Sequence, residues 1–262
     1  MAELTIENAS FSYDGKTDIF TDLNYTITTD QVFCILGPNG IGKSTLLKSL
    51  MNLHPLRKGR ILLDGRDIRK YKSEELAKKI SLIPQNYNFT FPYRVLDLVL
   101  MGRTPYINGM SKPSETDYEK AVAAIEALNL QDLIYRPCTG LSGGQMQLVM
   151  LAQAVAQEAE FLMMDEPTSH LDYGKQMQTL EVVADMRDRH FGIIMTTHDP
   201  NHVFITGDQV AIMDGTGFAA VGTPDEVITE SALKSLYNLE VKLVTSEDCG
   251  DRKICVPIKN KK

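Results

Sequence analysis

Three short strings carry residues that could handle phosphate. The first is Gly37-Pro38-Asn39-Gly40-Ile41-Gly42-Lys43-Ser44, followed by Thr45. Its G-x-x-x-x-G-K-[ST] spacing lets the backbone wrap closely around phosphate oxygens, because glycine accepts approaches that a Cβ would block. Lys43 would neutralise β/γ-phosphate charge and Ser44 would offer a hydroxyl to Mg²⁺. The helix that follows would turn its positive end toward the same anion. The second string, Phe161-Leu-Met-Met-Asp165-Glu166, is an apolar run that ends in two acids. At the carboxyl end of a parallel strand such acids emerge where open sheets bind ligands. Asp165 would hold Mg²⁺, and Glu166 would orient or deprotonate an attacking water. Two acids at a strand end are ordinarily only solvated; a phosphate loop in the same chain reverses that weighting. The third string is Leu141-Ser142-Gly143-Gly144-Gln145, at the head of a helical run. Ser142 is a natural N-cap and the glycines expose N–H groups, so this is a second anion-accepting helix start.

To position these strings the chain must alternate strands and helices. Apolar or alternating runs predict strands at 4–9, 19–27, 32–36, 60–63, 80–83, 161–164, 192–196 and 210–213, the first two antiparallel. Helical spacing appears at 43–52, 175–189 and 201–206. Between 92 and 158 the strand character disappears, and 95–102, 114–128 and 142–157 all read as helices. The expected fold is α/β: a P-loop NTPase core with a mostly parallel sheet, an antiparallel β edge and an inserted all-helical lobe. The expected organisation is a single domain over 1–262, with core segments 1–90 and 159–245, the lobe at 91–158 and a tail at 246–262.

The 262 residues are 43% hydrophobic and 23% charged, with net charge −7, an acidic balance that argues against nucleic acid as the main partner. The longest apolar runs fall far short of the roughly 20 residues that span a bilayer, and the polar start MAELTIENAS does not read as a signal peptide. Any membrane role is therefore expected to come through a partner. Cys34, Cys138, Cys249 and Cys255 form no C-x-x-C pair, so neither a zinc site nor a disulfide framework is expected. Cys249 and Cys255 could pair, but free thiols are the expectation in a reducing compartment.

A string such as Leu141–Gln145 arises by chance on the order of a few times in ten thousand chains. It resembles the signature of the ABC ATPase family, and other landmarks of that family follow in order. Gln85 is similar to the Q-loop glutamine that senses Mg²⁺ and water, and Ser169-His170-Leu171-Asp172 to the D-loop. His198 is similar to the switch histidine at the γ-phosphate, and Tyr13 to the aromatic that stacks on adenine. The resemblance covers 4 to about 243 and implies ATP and Mg²⁺ as ligands. It implies Glu166, His198 and Gln85 as catalytic residues, and Ser44, Gln85 and Asp165 around the metal. It places Tyr13, Gly37, Pro38, Asn39, Gly40, Gly42, Lys43, Ser44, Thr45 and Asp172 at the nucleotide. It also implies a head-to-tail homodimer, in which Leu141, Ser142, Gly143, Gly144 and Gln145 of one subunit close over ATP bound to the other. Two departures stand out. Met146 replaces a residue that is commonly polar, and the run LAQAVAQ lacks an arginine expected to brace the lobe through salt bridges.

The string from Asp97 to Tyr106 and the D-loop form PTSHLD look like importers of ferric siderophores, haem and cobalamin; molybdate and tungstate importers share this look. That resemblance implies two transmembrane permease subunits, an indirect solute-binding protein and a place at the cytoplasmic face of the inner membrane. A permease would dock near 85–103, where Tyr87, Phe89, Phe91 and Tyr93 are candidate contacts. A soluble ATPase of the iron–sulfur assembly type is the alternative. A regulator without turnover is disfavoured by Glu166 and His198. The tail from about 244 is expected to be a final strand with a solvated end.

Overall fold

The computed structural model describes residues 1–85, 91–109, 111–245 and 252–258. Its first half contains β1 (Glu3–Phe11), β2 (Phe20–Thr28), β3 (Val32–Leu36), α1 (Lys43–Leu50), β4 (Lys58–Leu63), β5 (Arg66–Asp67), α2 (Ser73–Ala77) and β6 (Ile80–Ile83). The helices α3 (Val95–Leu100), α4 (Glu115–Ala127) and α5 (Gly143–Ala156) follow, with no strand between them among the described residues. Then come β7 (Phe161–Met164), α6 (Tyr173–Asp188), β8 (Gly192–Thr197), α7 (Pro200–Thr206), β9 (Gln209–Met213) and β10 (Phe218–Gly222). The described chain ends with α8 (Pro224–Val227), α9 (Glu230–Tyr237), β11 (Val241–Thr245) and β12 (Lys253–Pro257).

One six-stranded sheet has the order β10-β9-β3-β8-β7-β6. All its pairings are parallel except that of β10 on β9. β3 and β7 are apolar at every position because both faces of the sheet are covered. Val32, Cys34 and Leu36 enter one core cluster, shared with α3–α6, while Phe33 and Ile35 enter another, shared with α1 and the second sheet. In β7, Leu162 and Met164 part from Phe161 and Met163 in the same way, as the period of two requires.

The expected antiparallel edge is a sheet of its own, β2-β1-β4-β5, closing the second core cluster from above. The helix expected over 95–102 is α-helical only to Leu100; Met101–Tyr106 continues as a 3₁₀ turn containing Pro105. At Gly102 a Cβ would lie 2.3 Å from the Gln153 carbonyl oxygen, so this turn can rest directly on the α5 backbone. Beside it Arg103 is only 5% exposed. Its Nε donates to Asp117 Oδ1 (3.2 Å), and Nη1 donates to the Ala156 carbonyl (2.7 Å) and to Glu158 Oε2 (2.8 Å). A basic brace therefore reaches the end of α5 from outside it, although LAQAVAQ has no arginine. Met146 packs partly buried against the first core cluster, which accounts for an apolar residue there.

The tail does more than end in a strand. β12 returns antiparallel to β11, in register from Val241↔Pro257 to Thr245↔Lys253. Cys34, Cys138 and Cys255 are free thiols; Cys249 lies outside the described residues. Among the described residues no helix is long and apolar enough to cross a membrane.

Candidate active site at four strand ends

Neighbouring strands β3, β8, β7 and β6 run parallel, so their carboxyl ends lie side by side at one edge of the sheet. The chain places chemistry-bearing residues just past each. After β3 the backbone crosses to α1 through Gly42, whose φ of 111° belongs to the region that favours glycine. A Cβ on Gly37 would meet the Met213 carbonyl oxygen at 2.7 Å, so the start of the loop is also pressed against β9. Pro38, Asn39 and Gly40 form the partly exposed crest of this loop.

Lys43, at the first position of α1, is 4% exposed. Its Nζ donates to the carbonyls of Gly37 (2.8 Å) and Pro38 (2.9 Å) and pairs with Glu166 Oε1 at 3.0 Å. The other oxygen of that carboxylate, Oε2, lies 3.3 Å from Gln85 Nε2 and 3.3 Å from His198 Nδ1. Residues that follow four different strands thus meet on one acid, which is 8% exposed. Glu166 has φ 47°, an uncommon conformation for a side chain of its size. It is held there by its N–H, which donates to Thr196 Oγ1 (2.9 Å), and by the Lys43 ion pair.

Asp165 Oδ1 accepts from Ser44 Oγ (2.9 Å) and Thr196 Oγ1 (2.8 Å). Ser44 and Asp165 offer hard oxygen donors, and Mg²⁺ typically takes one or two from protein and the rest from phosphate and water, so the pair fits that ion. Tyr13, 63% exposed, shares a hydrogen bond with Thr45 Oγ1 at 2.9 Å. Its ring stands edge-on to Phe11 (4.8 Å) and His54 (5.6 Å), leaving an aromatic face beside the start of α1.

The string Leu141–Gln145 is not part of this cluster. Ser142 caps α5: its Oγ accepts from Gln145 N–H (3.3 Å) while Gln145 Oε1 accepts from Ser142 N–H (3.0 Å). A Cβ on Gly144 would meet the Lys175 side chain at 2.5 Å, and one on Gly143 would touch Leu171 at 3.7 Å, so this helix start abuts α6 and the segment before it. Asp172 caps α6 by accepting from Lys175 N–H (3.0 Å). Of the aromatics expected to meet a permease, Phe91 and Tyr93 are exposed; Tyr87 and Phe89 lie outside the described residues.

Sequence reasoning missed Thr196, which joins the two acids. Its signal was a pair of hydroxyls, Thr196 and Thr197, at the carboxyl end of an apolar run. It also missed His202, whose Nδ1 lies 3.2 Å from Thr168 Oγ1 and 3.3 Å from Thr197 Oγ1. Burial holds His202 below its usual pKa against the pull of Asp199, so it is a neutral hydrogen-bonding group behind the site.

The family model described as ABC transporter matches residues 20–169. The chain is 35% identical to the molybdate import ATP-binding protein of Haemophilus influenzae, over 90% of this chain and 88% of that protein. It is 33% identical to the achromobactin transport ATP-binding protein of Dickeya dadantii, over 100% and 97% respectively. A solved metal-chelate type ABC transporter in an inward-facing conformation contains a chain of 33% identity that superposes with a TM-score of 0.88, covering 98% of both. Likeness over whole lengths, in sequence and in fold together, establishes that this chain belongs to the ATP-binding proteins of ABC transporters, a family of ATPases.

Proposed function

We propose that this chain hydrolyses ATP at the Glu166 cluster and so powers import of a metal chelate of the ferric-siderophore class. It works as a homodimer on two permease subunits at the cytoplasmic face of the membrane. The carrying observation is the single carboxylate shared by Lys43, His198 and Gln85. In this reading 1–90 and 159–245 form the nucleotide-binding core and 91–158 the lobe that presents Leu141–Gln145 to the other subunit.

Tyr13 offers its ring face to the adenine. The loop from Gly37 to Thr45 wraps the phosphates, and Lys43 exchanges its Glu166 partner for the terminal phosphate. Ser44 and Asp165, with Gln85, would hold Mg²⁺, which when bound neutralises charge on the transferred phosphoryl group. Once released from Lys43, Glu166 accepts a proton from water as its oxygen bonds to the γ-phosphorus and the bond to the departing ADP oxygen breaks. His198 keeps that carboxylate aimed and contacts the γ-phosphate. Leu141–Gln145 and Asp172 of the opposite subunit complete the enclosure.

Glu166→Gln keeps the shape and removes the base. Turnover should fall at least ~100-fold with ATP affinity retained, and the ATP-bound dimer should accumulate. A variant keeping half its turnover would refute the role of Glu166. The chelate assignment draws on the achromobactin relative and the metal-chelate transporter; the molybdate relative favours a second reading. Uptake by cells lacking this chain separates them: loss of ferric-chelate uptake supports the first, and loss of molybdate uptake alone supports the second.

A further inference from the structure

The C-terminal hairpin touches the catalytic turn in a way the proposed hydrolysis does not yet use. His198 follows β8 and is half exposed, and its ring reaches Glu166 Oε2 from a short turn that ends at the start of α7. On its inner side that turn is organised by Thr197 Oγ1, which accepts from Asp199 N–H (3.1 Å), and by Asp199 Oδ1, which accepts from Asn201 N–H (2.8 Å). On its outer side one link runs to the end of α9 and one to the tail hairpin. Tyr237 Oη donates to the His198 carbonyl oxygen at 2.8 Å. The Asn201 side-chain amide pairs with the Cys255 backbone, accepting from its N–H (2.8 Å) and donating to its carbonyl (3.3 Å), much as a neighbouring strand would.

Both links start from a stiff base. Tyr237 is the last residue of α9, which is tied to β11 by Glu230: Oε1 accepts from Leu243 N–H (3.1 Å) and Oε2 pairs with Lys242 (3.1 Å). Leu233 of α9 is fully buried. A cleft of about 470 Å³ lies between the turn and the hairpin, lined by Pro200, Leu239 and Pro257 among others, so close packing does not fix the turn from this side. Directional polar contacts must do so instead. Burial, with Asp199 nearby, pushes the Tyr237 phenol further above its usual range, so it remains a hydrogen-bond donor at any physiological pH.

We infer that Tyr237 is a positioning residue for ATP hydrolysis: with Asn201 it fastens the C-terminal hairpin to the His198 turn and keeps the imidazole in register with Glu166. The tail is then part of the catalytic apparatus rather than a solvated end. This rests on the role proposed above for His198. Small displacements of a reacting group cost large factors in rate, so the hydrogen bond acts on turnover more than on nucleotide binding.

The test compares the full-length chain with Tyr237→Phe, His198→Ala and Asn201→Ala, by steady-state ATP hydrolysis and by ¹⁵N-histidine NMR. Tyr237→Phe keeps the ring and deletes only the donor. The expected result is a kcat about 3–10-fold lower, the range for one lost hydrogen bond, with KM for ATP within about twofold. The His198 imidazole signals should move while those of His54 and His190 stay in place, which a general loss of stability would not produce. Asn201→Ala releases the hairpin at its other link and is read in the same way should Tyr237→Phe fold poorly. A wild-type kcat in Tyr237→Phe, or unmoved His198 signals, overturns the inference. If His198→Ala retains turnover, the reading of His198 itself falls; if it abolishes turnover while Tyr237→Phe is unaffected, only the positioning role is lost.

Discussion

Replacing Arg103 with alanine would remove a cation that joins three segments of the helical region. The guanidinium pairs with Asp117 at 3.2 Å and with Glu158 at 2.8 Å, and lies 3.9 Å over the Tyr106 ring. Asp117 is 7% exposed, so the variant would strand a nearly buried carboxylate with only its Ser114 contacts. Because Asp117 keeps the Ser114 hydroxyl and N–H, the loss is that of charge-assisted hydrogen bonds, about 1–3 kcal/mol. Glu158 adds little, because its side chain is 41% exposed and it keeps Lys120. For a chain of this length each kcal/mol moves the melting temperature by roughly 2–4 °C, so a fall of about 2–12 °C is expected. Arg103→Lys should recover only part of it, since an ammonium cannot reproduce the fork that reaches Asp117, Ala156 and Glu158 together.

The same pair predicts a pH dependence. Hydrogen bonds from the Ser114 hydroxyl and N–H, and then from Arg103, hold the Asp117 carboxyl below its ordinary value. Partial burial raises Glu158, but hydrogen bonds from Lys120 and Arg103 outweigh it and bring that carboxyl down as well. A carboxyl depressed in the folded state stabilises fully above its unfolded pKa and loses that contribution as pH falls through the folded one. The gap between wild type and Arg103→Ala should therefore be full at pH 7 and contract below about pH 4. Thermal unfolding followed by circular dichroism at both pH values tests this. A drop under about 2 °C at pH 7, or a gap that widens in acid, would refute the brace.

Three further substitutions probe the site and its supports. Lys43→Ala removes the group that would compensate the terminal phosphate, so ATP affinity in a fluorescent-nucleotide titration should fall at least ~10-fold; unchanged affinity would count against the loop assignment. Ser142→Arg, made in the Glu166→Gln background, should leave monomer nucleotide binding intact and abolish the ATP-dependent dimer in light scattering, beyond the ~1 kcal/mol cost of a lost cap; a normal dimer would sink the head-to-tail arrangement. Gly102→Ala places a Cβ 2.3 Å from the Gln153 carbonyl oxygen, an overpacking worth about 1–3 kcal/mol, and an unchanged melting curve would show that the turn can move away from α5.

What the sequence made legible was local. The loop from Gly37 to Ser44 could be read because its demands fall within eight consecutive positions, and β3 and β7 because their residues are apolar on both faces. β10, FAAVG, escaped because it is short, half exposed and defined only by its pairing with β9; α8 and β5 are shorter still. The tail hairpin escaped because β11 and β12 are marginal alone and gain their contacts from Asn201 and α9. The brace on α5 was sought within LAQAVAQ, yet Arg103 reaches the end of α5 from a turn before α4. The contacts of Glu166 with Lys43, Gln85 and His198 span many residues of chain, and no spacing rule contains them.

The pairing of Lys43 with Glu166 has a further consequence for the proposed cycle. A cation and an acid that are both nearly buried would each be costly alone, and here they neutralise one another. In the proposed cycle a triphosphate would compete with Glu166 for Lys43, and the acid would be freed for water only when phosphate has arrived. That order suppresses a base with nothing to act on. The second helix start, at Ser142, spends its own side chains on capping α5, while Gly143 stays exposed and Gly144 packs under Lys175. In the proposed homodimer, a γ-phosphate held on the other subunit would replace solvent at the exposed end of this helix, which an N-terminus favours.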